Sequence, residues 1–309
     1  MALSDPQLAD EVRDLARQRD AVILAHNYQR PEVQDIADFT GDSLGLSRQA
    51  AATSASTIVF AGVHFMAETA KILSPDKTVL MPEPRAGCPM ADMMSADDLA
   101  SWKAENPGVP VVTYVNSTAA VKALTDVCVT SANAVQVVEH LARTSGAVRI
   151  LFGPDRNLAN WVARAVPAVD VIPWAGYCPT HDQVTPAQVR EARERHPHAS
   201  VLAHPECRPD VLDFADAVLS TSQMLSYARE SSADEFIIVT EEGLLHALAK
   251  AAPGKRFVNL TPRMVCANMK LTTLEKVRDC LRDLSGEIYV PEDIRVAASG
   301  AVERMVQIG

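Results

Sequence analysis

Three cysteines stand alone in the sequence, each without the nearby second cysteine that would complete a zinc knot or a redox pair. They are Cys88, Cys178 and Cys266, separated by 90 and 88 residues. If three thiolates converge, they leave one position of a metal centre open. That suits zinc with three sulfur ligands and water, or a 4Fe–4S cluster with one exposed iron. The cluster fits better, because thiolates suit it and its open iron can take a substrate oxygen or nitrogen. The structural alternative is three separate core cysteines at strand ends.

The same spacing recurs in polar residues that follow short apolar runs. His26, Tyr114 and His204 follow "AVILA", "VVT" and "SVLA" and are separated by 88 and 90 residues. A second set, spaced by 88 and 89, lies where helices are predicted to begin and comprises Ser43, Ser131 and Ser220. Coincidences in the same order and with the same period indicate a unit that is present three times.

Each unit reads as strand, loop, helix, strand, helix, strand. The strands are continuous apolar runs, as expected when both faces of a sheet are covered. The helices have a 3.6-residue period, which in "SANAVQVVEHLART" places four residues on one face: Ala134, Val137, Val138 and Leu141. Alternating strands and helices predict parallel sheets with right-handed crossovers. We therefore predict an α/β fold of three similar αβα domains, with small parallel sheets arranged about a pseudo-threefold axis.

The repeat also predicts domain boundaries and the place of the site. The first domain comprises 1–88 plus 267–309, the second 89–178 and the third 179–266. The last segment is expected to form a helix, a short strand and a closing helix that pack on the first domain. Cys88, Cys178 and Cys266 are each predicted to terminate the last strand of a unit. Ligands bind at the carboxyl ends of parallel strands, so the active site is expected at the centre.

Composition excludes several classes of function. The 309 residues are 48% hydrophobic and 22% charged, with a net charge of -10. A basic stripe with interleaved aromatics is missing from the sequence, so no nucleic-acid partner is expected. No apolar run approaches the length of a membrane span, and the first residues lack the apolar region of a signal peptide. A cytoplasmic location with reduced cysteines is expected. Three cysteines without counterparts in the repeat are expected to be buried thiols: Cys128, Cys207 and Cys280.

Over essentially its whole length the chain resembles the quinolinate synthase family. The resemblance is carried by "AHNYQRPEVQDIADFTGDSLGLS", "YVNSTAAVKA", "CVTSANA", "GYCPTH", "AHPEC", "STSQM" and "CANMKLTTLEKV". It implies three αβα domains and a 4Fe–4S cluster held by Cys88, Cys178 and Cys266. Some members carry a further C-x-x-C-x-x-C near the C-terminus. This chain lacks it, so a redox switch at that place is not expected.

The resemblance also implies a reaction. Iminoaspartate condenses with dihydroxyacetone phosphate to give quinolinate, phosphate and water in NAD biosynthesis, with the cluster as Lewis acid. L-aspartate oxidase or aspartate dehydrogenase would supply the iminoaspartate. By resemblance, Glu206 is the candidate general base and Tyr28 serves isomerisation and dehydration. His181 looks like a proton carrier or anion donor.

Eight further positions match residues that hold the dicarboxylate, the product or the phosphate. They are His26, Ser43, Tyr114, Asn116, Ser131, His204, Ser220 and Thr221. Hydroxyl, amide and imidazole donors can bind carboxylates without an arginine. Each position also has a structural alternative: the serines as helix caps, Tyr114 and Asn116 as partners of the backbone, and the histidines as buried core residues.

Two other functions are compatible with three converging thiolates. One is a zinc hydrolase with a tris-thiolate site, although the sequence lacks an H-E-x-x-H helix. The other is a non-enzymatic iron–sulfur sensor, which would require a partner-binding helix or tail.

Overall fold

The computed structural model describes residues 5–308, and residues 1–4 and 309 of the predicted first domain lie outside it. Twelve strands form three four-stranded parallel sheets. In each sheet the second strand pairs with the first, the first with the third and the third with the fourth. The predicted fold of three similar αβα domains is therefore confirmed. The strands are β1 (Ala21–His26), β2 (Phe39–Gly41), β3 (Thr57–Ala61), β4 (Thr78–Leu80), β5 (Val111–Tyr114), β6 (Val127–Val129), β7 (Arg149–Gly153), β8 (Asp170–Pro173), β9 (Ser200–Ala203), β10 (Ala217–Val218), β11 (Glu235–Val239) and β12 (Arg256–Asn259).

Fifteen α-helices in the described chain surround these sheets. They are α1 (Asp5–Gln18), α2 (Pro31–Ile36), α3 (Ser43–Ala52), α4 (His64–Leu73), α5 (Ala96–Glu105), α6 (Ala119–Lys122), α7 (Ala134–Ser145), α8 (Arg156–Ala165), α9 (Pro179–Asp182), α10 (Pro186–Arg195), α11 (Pro209–Leu212), α12 (Thr221–Glu230), α13 (Leu244–Ala251), α14 (Leu274–Asp283) and α15 (Glu292–Ile308).

Both faces of each sheet are covered, which explains the uninterrupted apolar strands. In β1, Val22 and Leu24 pack into one core cluster, while Ile23 and Ala25 pack into another. Successive side chains of a strand point to opposite faces, so every position of β1 meets a helix layer. The other two sheets are likewise divided between two core clusters.

The predicted unit was incomplete in two respects. The segment taken as a loop after each first strand contains a short helix and a short edge strand, namely α2 and β2, α6 and β6, and α11 and β10. Each unit also opens with a helix before its first strand, formed by α1, α5 and α10. The edge strands have only two or three residues, too few to show a period.

The C-terminal segment returns to the first domain only in part. Helix α14 packs on α1, as expected, but α15 lies against α4 of the first domain and against α6 and β6 of the second. The expected short strand is a single antiparallel bridge between Leu80 and Glu287. The exact domain boundaries stay a prediction. None of the described helices is long and apolar enough to cross a membrane.

Candidate active site between the three domains

One cavity of about 330 Å³ lies where the carboxyl ends of the three sheets meet. Its wall includes Cys88, Cys178 and Cys266, one from each repeat. The prediction that each cysteine terminates a strand was wrong, because all three lie in the loops after β4, β8 and β12. These loops carry the thiols past the sheet edge into the space between the domains.

The cavity wall contains every site residue predicted from the sequence except Ser220. Besides the cysteines, the wall includes His26, Tyr28, Ser43, Tyr114, Asn116, Ser131, His181, His204, Glu206 and Thr221. Most of them lie at the end of the first strand of a repeat unit or just after it. The others lie mainly at the start of the helix that follows β2, β6 or β10. The topology alone therefore brings together residues that are far apart in the chain.

The three repeated serines have different local roles. Ser220 caps α12: its hydroxyl accepts from the Gln223 amide, and the Gln223 side chain accepts from the Ser220 amide. Ser43 is not a cap, since Asp42 caps α3. Ser131 precedes α7, and its hydroxyl lies 3.1 Å from Nε2 of His204. The structure thus favours the capping role for Ser220 and leaves Ser43 and Ser131 facing the cavity.

Glu206 is a buried carboxylate with donors on both oxygens. The hydroxyl of Tyr114 donates to Oε1 at 2.6 Å, and Nδ1 of His181 lies 2.8 Å from Oε2. Burial alone would raise the pKa of Glu206, but the neighbouring imidazoles of His181 and His204 and the hydrogen bonds from His181 and Tyr114 lower it below its usual range. Glu206 is therefore ionised and able to accept a proton.

A chain of polar contacts joins Glu206 to Tyr28 across two domains, and Nδ1 of His181, which faces Glu206, also lies 3.1 Å from Sγ of Cys178. Nε2 of His181 lies 2.8 Å from the hydroxyl of Thr240, and that hydroxyl lies 2.6 Å from the hydroxyl of Tyr28. If His181 is neutral and donates from Nδ1 to the carboxylate, its Nε2 accepts from Thr240. The Thr240 oxygen then accepts from Tyr28. All donors in this chain point from Tyr28 toward Glu206.

The remaining ring nitrogens and hydroxyls of the cavity are neutral near pH 7. Burial lowers the pKa of His26 to about 4 and that of His204 to about 3. Burial also raises the pKa of Tyr28 and of Tyr114 well above the usual range. The cavity therefore offers neutral donors and acceptors beside Glu206, and the carboxylates of Asp42 and Glu241 also lie in its wall. Asn116 adds a buried amide oxygen that accepts no hydrogen bond from the described chain.

Burial favours the neutral form of the three thiols in the cavity wall. Burial, together with the nearby Glu206 and Cys266, raises the pKa of Cys88 to about 12, and burial likewise raises the pKa of Cys178 and Cys266. A bound metal ion reverses this preference, since it binds the thiolate form. The three sulfurs share the cavity with apolar side chains such as Met66 and Met90.

The spacing of possible ligands bears on which metal the site takes. The ligand atoms of Cys178, His181 and Glu206 all lie within 4.8 Å of one another, and the three cysteines form no such group among the described residues. One zinc ion with bonds of about 2.3 Å to three sulfurs would bring the sulfurs to roughly 3.8 Å. At least one pair of the three cysteine sulfurs is therefore farther apart than a single zinc ion would require.

Several residues of the site were missed by sequence reasoning. Thr240 and Glu241 follow β11, at the place in the repeat where Asp155 follows β7. They follow the third strand of the unit, whereas the polar residues that recur with the repeat lie at the end of the first. The cysteines expected to be buried thiols are indeed buried and absent from the cavity wall: Cys128, Cys207 and Cys280.

Fold and site together define a three-domain α/β enzyme with a thiol-lined active site between its domains. The chain matches the family described as quinolinate synthetase A protein over residues 10–307. It is 54% identical to the quinolinate synthase of Desulforudis audaxviator (strain MP104C) over 308 residues, with 100% of both chains covered. It is 53% identical to that of Thermodesulfovibrio yellowstonii (strain ATCC 51303 / DSM 11347 / YP87), with 97% of each covered. The chain therefore belongs to the quinolinate synthase family.

Proposed function

We propose that this enzyme condenses iminoaspartate with dihydroxyacetone phosphate to form quinolinate, phosphate and water, using a 4Fe–4S cluster. The observation that carries the proposal is the single cavity in which Cys88, Cys178 and Cys266 face Glu206 and Tyr28. The upstream enzyme would be an oxidase or dehydrogenase that converts aspartate to iminoaspartate.

The three cavity cysteines would hold the cluster. Three thiolates leave one iron without a protein ligand, and no fourth cysteine of residues 5–308 lines the cavity. When bound, the cluster would supply an iron that acts as a Lewis acid toward a substrate oxygen or nitrogen.

Glu206 would act as the general base. Its carboxylate is ionised, and Tyr114 and His181 fix both of its oxygens. A fixed base of this kind typically contributes about 10²–10⁴-fold to the rate. A proton that leaves Tyr28 can pass through Thr240 and His181 to Glu206, since every donor of the chain points that way. Tyr28 is thus suited to proton transfer during isomerisation and dehydration.

Neutral polar groups would hold the substrate anions. His26, Ser43 and Thr221 line the cavity and are proposed to bind the dicarboxylate. Ser131 and His204 form a hydrogen-bonded pair near the start of α7, where a phosphate would meet the helix N-terminus. The free amide oxygen of Asn116 can accept a hydrogen bond from a substrate N–H or O–H.

The test is quinolinate formation by the anaerobically reconstituted protein. Iminoaspartate generated in place and dihydroxyacetone phosphate should give quinolinate and one equivalent of phosphate. Omission of either substrate should abolish both products. Colourless protein with stoichiometric zinc would instead support the zinc hydrolase. Protein that binds iron and sulfide yet forms no quinolinate would support the sensor.

A further inference from the structure

A buried ion pair lies in the cavity wall, at the contact between the first and third domains. Glu241 is fully buried, and the Lys270 side chain is 15% exposed. Nζ of Lys270 lies 2.9 Å from one carboxylate oxygen of Glu241 and 3.0 Å from the other. Desolvation of two charges opposes the gain from pairing them, so such a pair is weak evidence for a role in stability alone.

The other hydrogen bonds of the pair reach two segments of the active site. The amide of Cys266 donates to Oε1 of Glu241 at 3.1 Å. Nζ of Lys270 donates to the carbonyl oxygen of Tyr28 at 2.7 Å. Burial raises the pKa of Glu241, and the ammonium group and two backbone amides oppose this shift. One carboxylate and one ammonium thus connect the backbone of Cys266 to the backbone of Tyr28.

Gly243 shows how tightly this arrangement is packed. A Cβ atom at Gly243 would lie 2.8 Å from each of three atoms: Oε2 of Glu241, Nζ of Lys270 and the carbonyl carbon of Tyr28. Real Cβ atoms essentially never approach this closely, so any side chain here would have to displace the pair or Tyr28. The Gly243 amide also donates to Oε2 of Glu241 at 2.7 Å.

We propose that the Glu241–Lys270 pair is a positioning clamp that holds the loop of Cys266 in register with Tyr28. The clamp thereby fixes the position of the Cys266 sulfur relative to Tyr28, the residue proposed to transfer protons. Its effect on turnover rests on the function proposed above, whereas the coupling between the two segments does not.

The test requires variants that remove the clamp without leaving one charge alone. Loss of a single partner would leave an unpaired buried charge, which is strongly destabilising. The double variant Glu241→Gln/Lys270→Met removes both charges, and Gly243→Ala displaces the pair sterically. The control is Glu235→Gln at the opposite end of β11, where the carboxylate lies 3.1 Å from Arg256 and 2.9 Å from His196.

The first measurement is amide hydrogen exchange of the metal-free protein. In both clamp variants, segments 26–30 and 264–268 should exchange together, about 10-fold or more faster than in the wild type. In Glu235→Gln both segments should keep wild-type rates. Faster exchange of 264–268 with unchanged exchange of 26–30 would overturn the proposal, because the segments would then not be coupled.

The second measurement is steady-state kinetics of the reconstituted variants. The kcat should fall about 10-fold while the KM for dihydroxyacetone phosphate and the iron content stay at wild-type values. An unchanged kcat, or an equal fall in Glu235→Gln, would overturn the clamp. A wild-type protein that forms no quinolinate would sink the proposed function. Coupled exchange would still support the clamp in that case.

Discussion

Glu206 is the residue on which the proposed proton transfers depend most. Glu206→Gln keeps the shape of the side chain and removes the base. We expect kcat to fall at least about 100-fold, with iron content and absorption spectrum unchanged. Glu191→Gln on the exposed face of α10 is the control and should keep wild-type activity. Normal turnover by Glu206→Gln would mean that another group is the base.

Thr240 links Tyr28 to His181 through a single hydroxyl group. Thr240→Val removes that hydroxyl at nearly constant volume, so the chain of hydrogen bonds is broken. We expect kcat to fall roughly 10- to 100-fold with little change in KM. Thr240→Ser retains the hydroxyl and should recover most of the activity. Equal activities of the valine and serine variants would exclude a role for the chain in turnover.

How far a residue could be predicted from the sequence depended on where it stood in the repeat. His26 and Tyr114 end the first strand of their units and His204 directly follows its own, so a fixed period revealed them. Thr240 has no polar counterpart after β3, where Gly62 and Val63 stand, so the period of the repeat does not reveal it. Its role follows from two contacts that only the folded chain brings together.

Ser220 and Ser131 occupy equivalent places in the repeat but have different roles, because only Ser220 caps the helix that follows it. Ser220 is the cap of α12, so Ser220→Ala should lower the free energy of unfolding by about 1 kcal/mol and leave KM unchanged. Ser131→Ala should raise the KM for dihydroxyacetone phosphate about 10-fold, because one hydrogen bond to an anion is lost. Urea unfolding and steady-state kinetics would separate the two. A raised KM in Ser220→Ala alone would reverse the assignment.

The missed helices carry a signal that the sequence contains. Ser95, Thr185 and Thr273 each lie seven residues after a cavity cysteine, and each caps the next helix. A serine or threonine at that fixed distance would have predicted α5 and α10, and it also precedes α14, a helix that was expected. The edge strands lack any comparable signal, because two or three residues show no period and gain their pairing only from the neighbouring strand.

At the scale of the whole molecule, burial of neutral histidines makes stability depend on pH. The pKa of His26 is about 4 in the folded protein and about 6.5 when unfolded, so the unfolded chain binds more protons between these values. Stability is therefore lost as pH falls from about 6.5 toward 4. Between pH 7 and 5, the metal-free wild type should lose about 2 kcal/mol more than His26→Asn in urea unfolding. Equal losses would contradict the buried neutral state.

The central claim is that one cysteine from each domain holds a single cluster. The direct test is iron and sulfide content of the anaerobically reconstituted protein, measured for the wild type and for six single Cys→Ser variants. The wild type should contain about four irons per chain. Cys88→Ser, Cys178→Ser and Cys266→Ser should each lose most of the iron, while Cys128→Ser, Cys207→Ser and Cys280→Ser should keep it. Full iron content in any one of the first three variants would contradict the account.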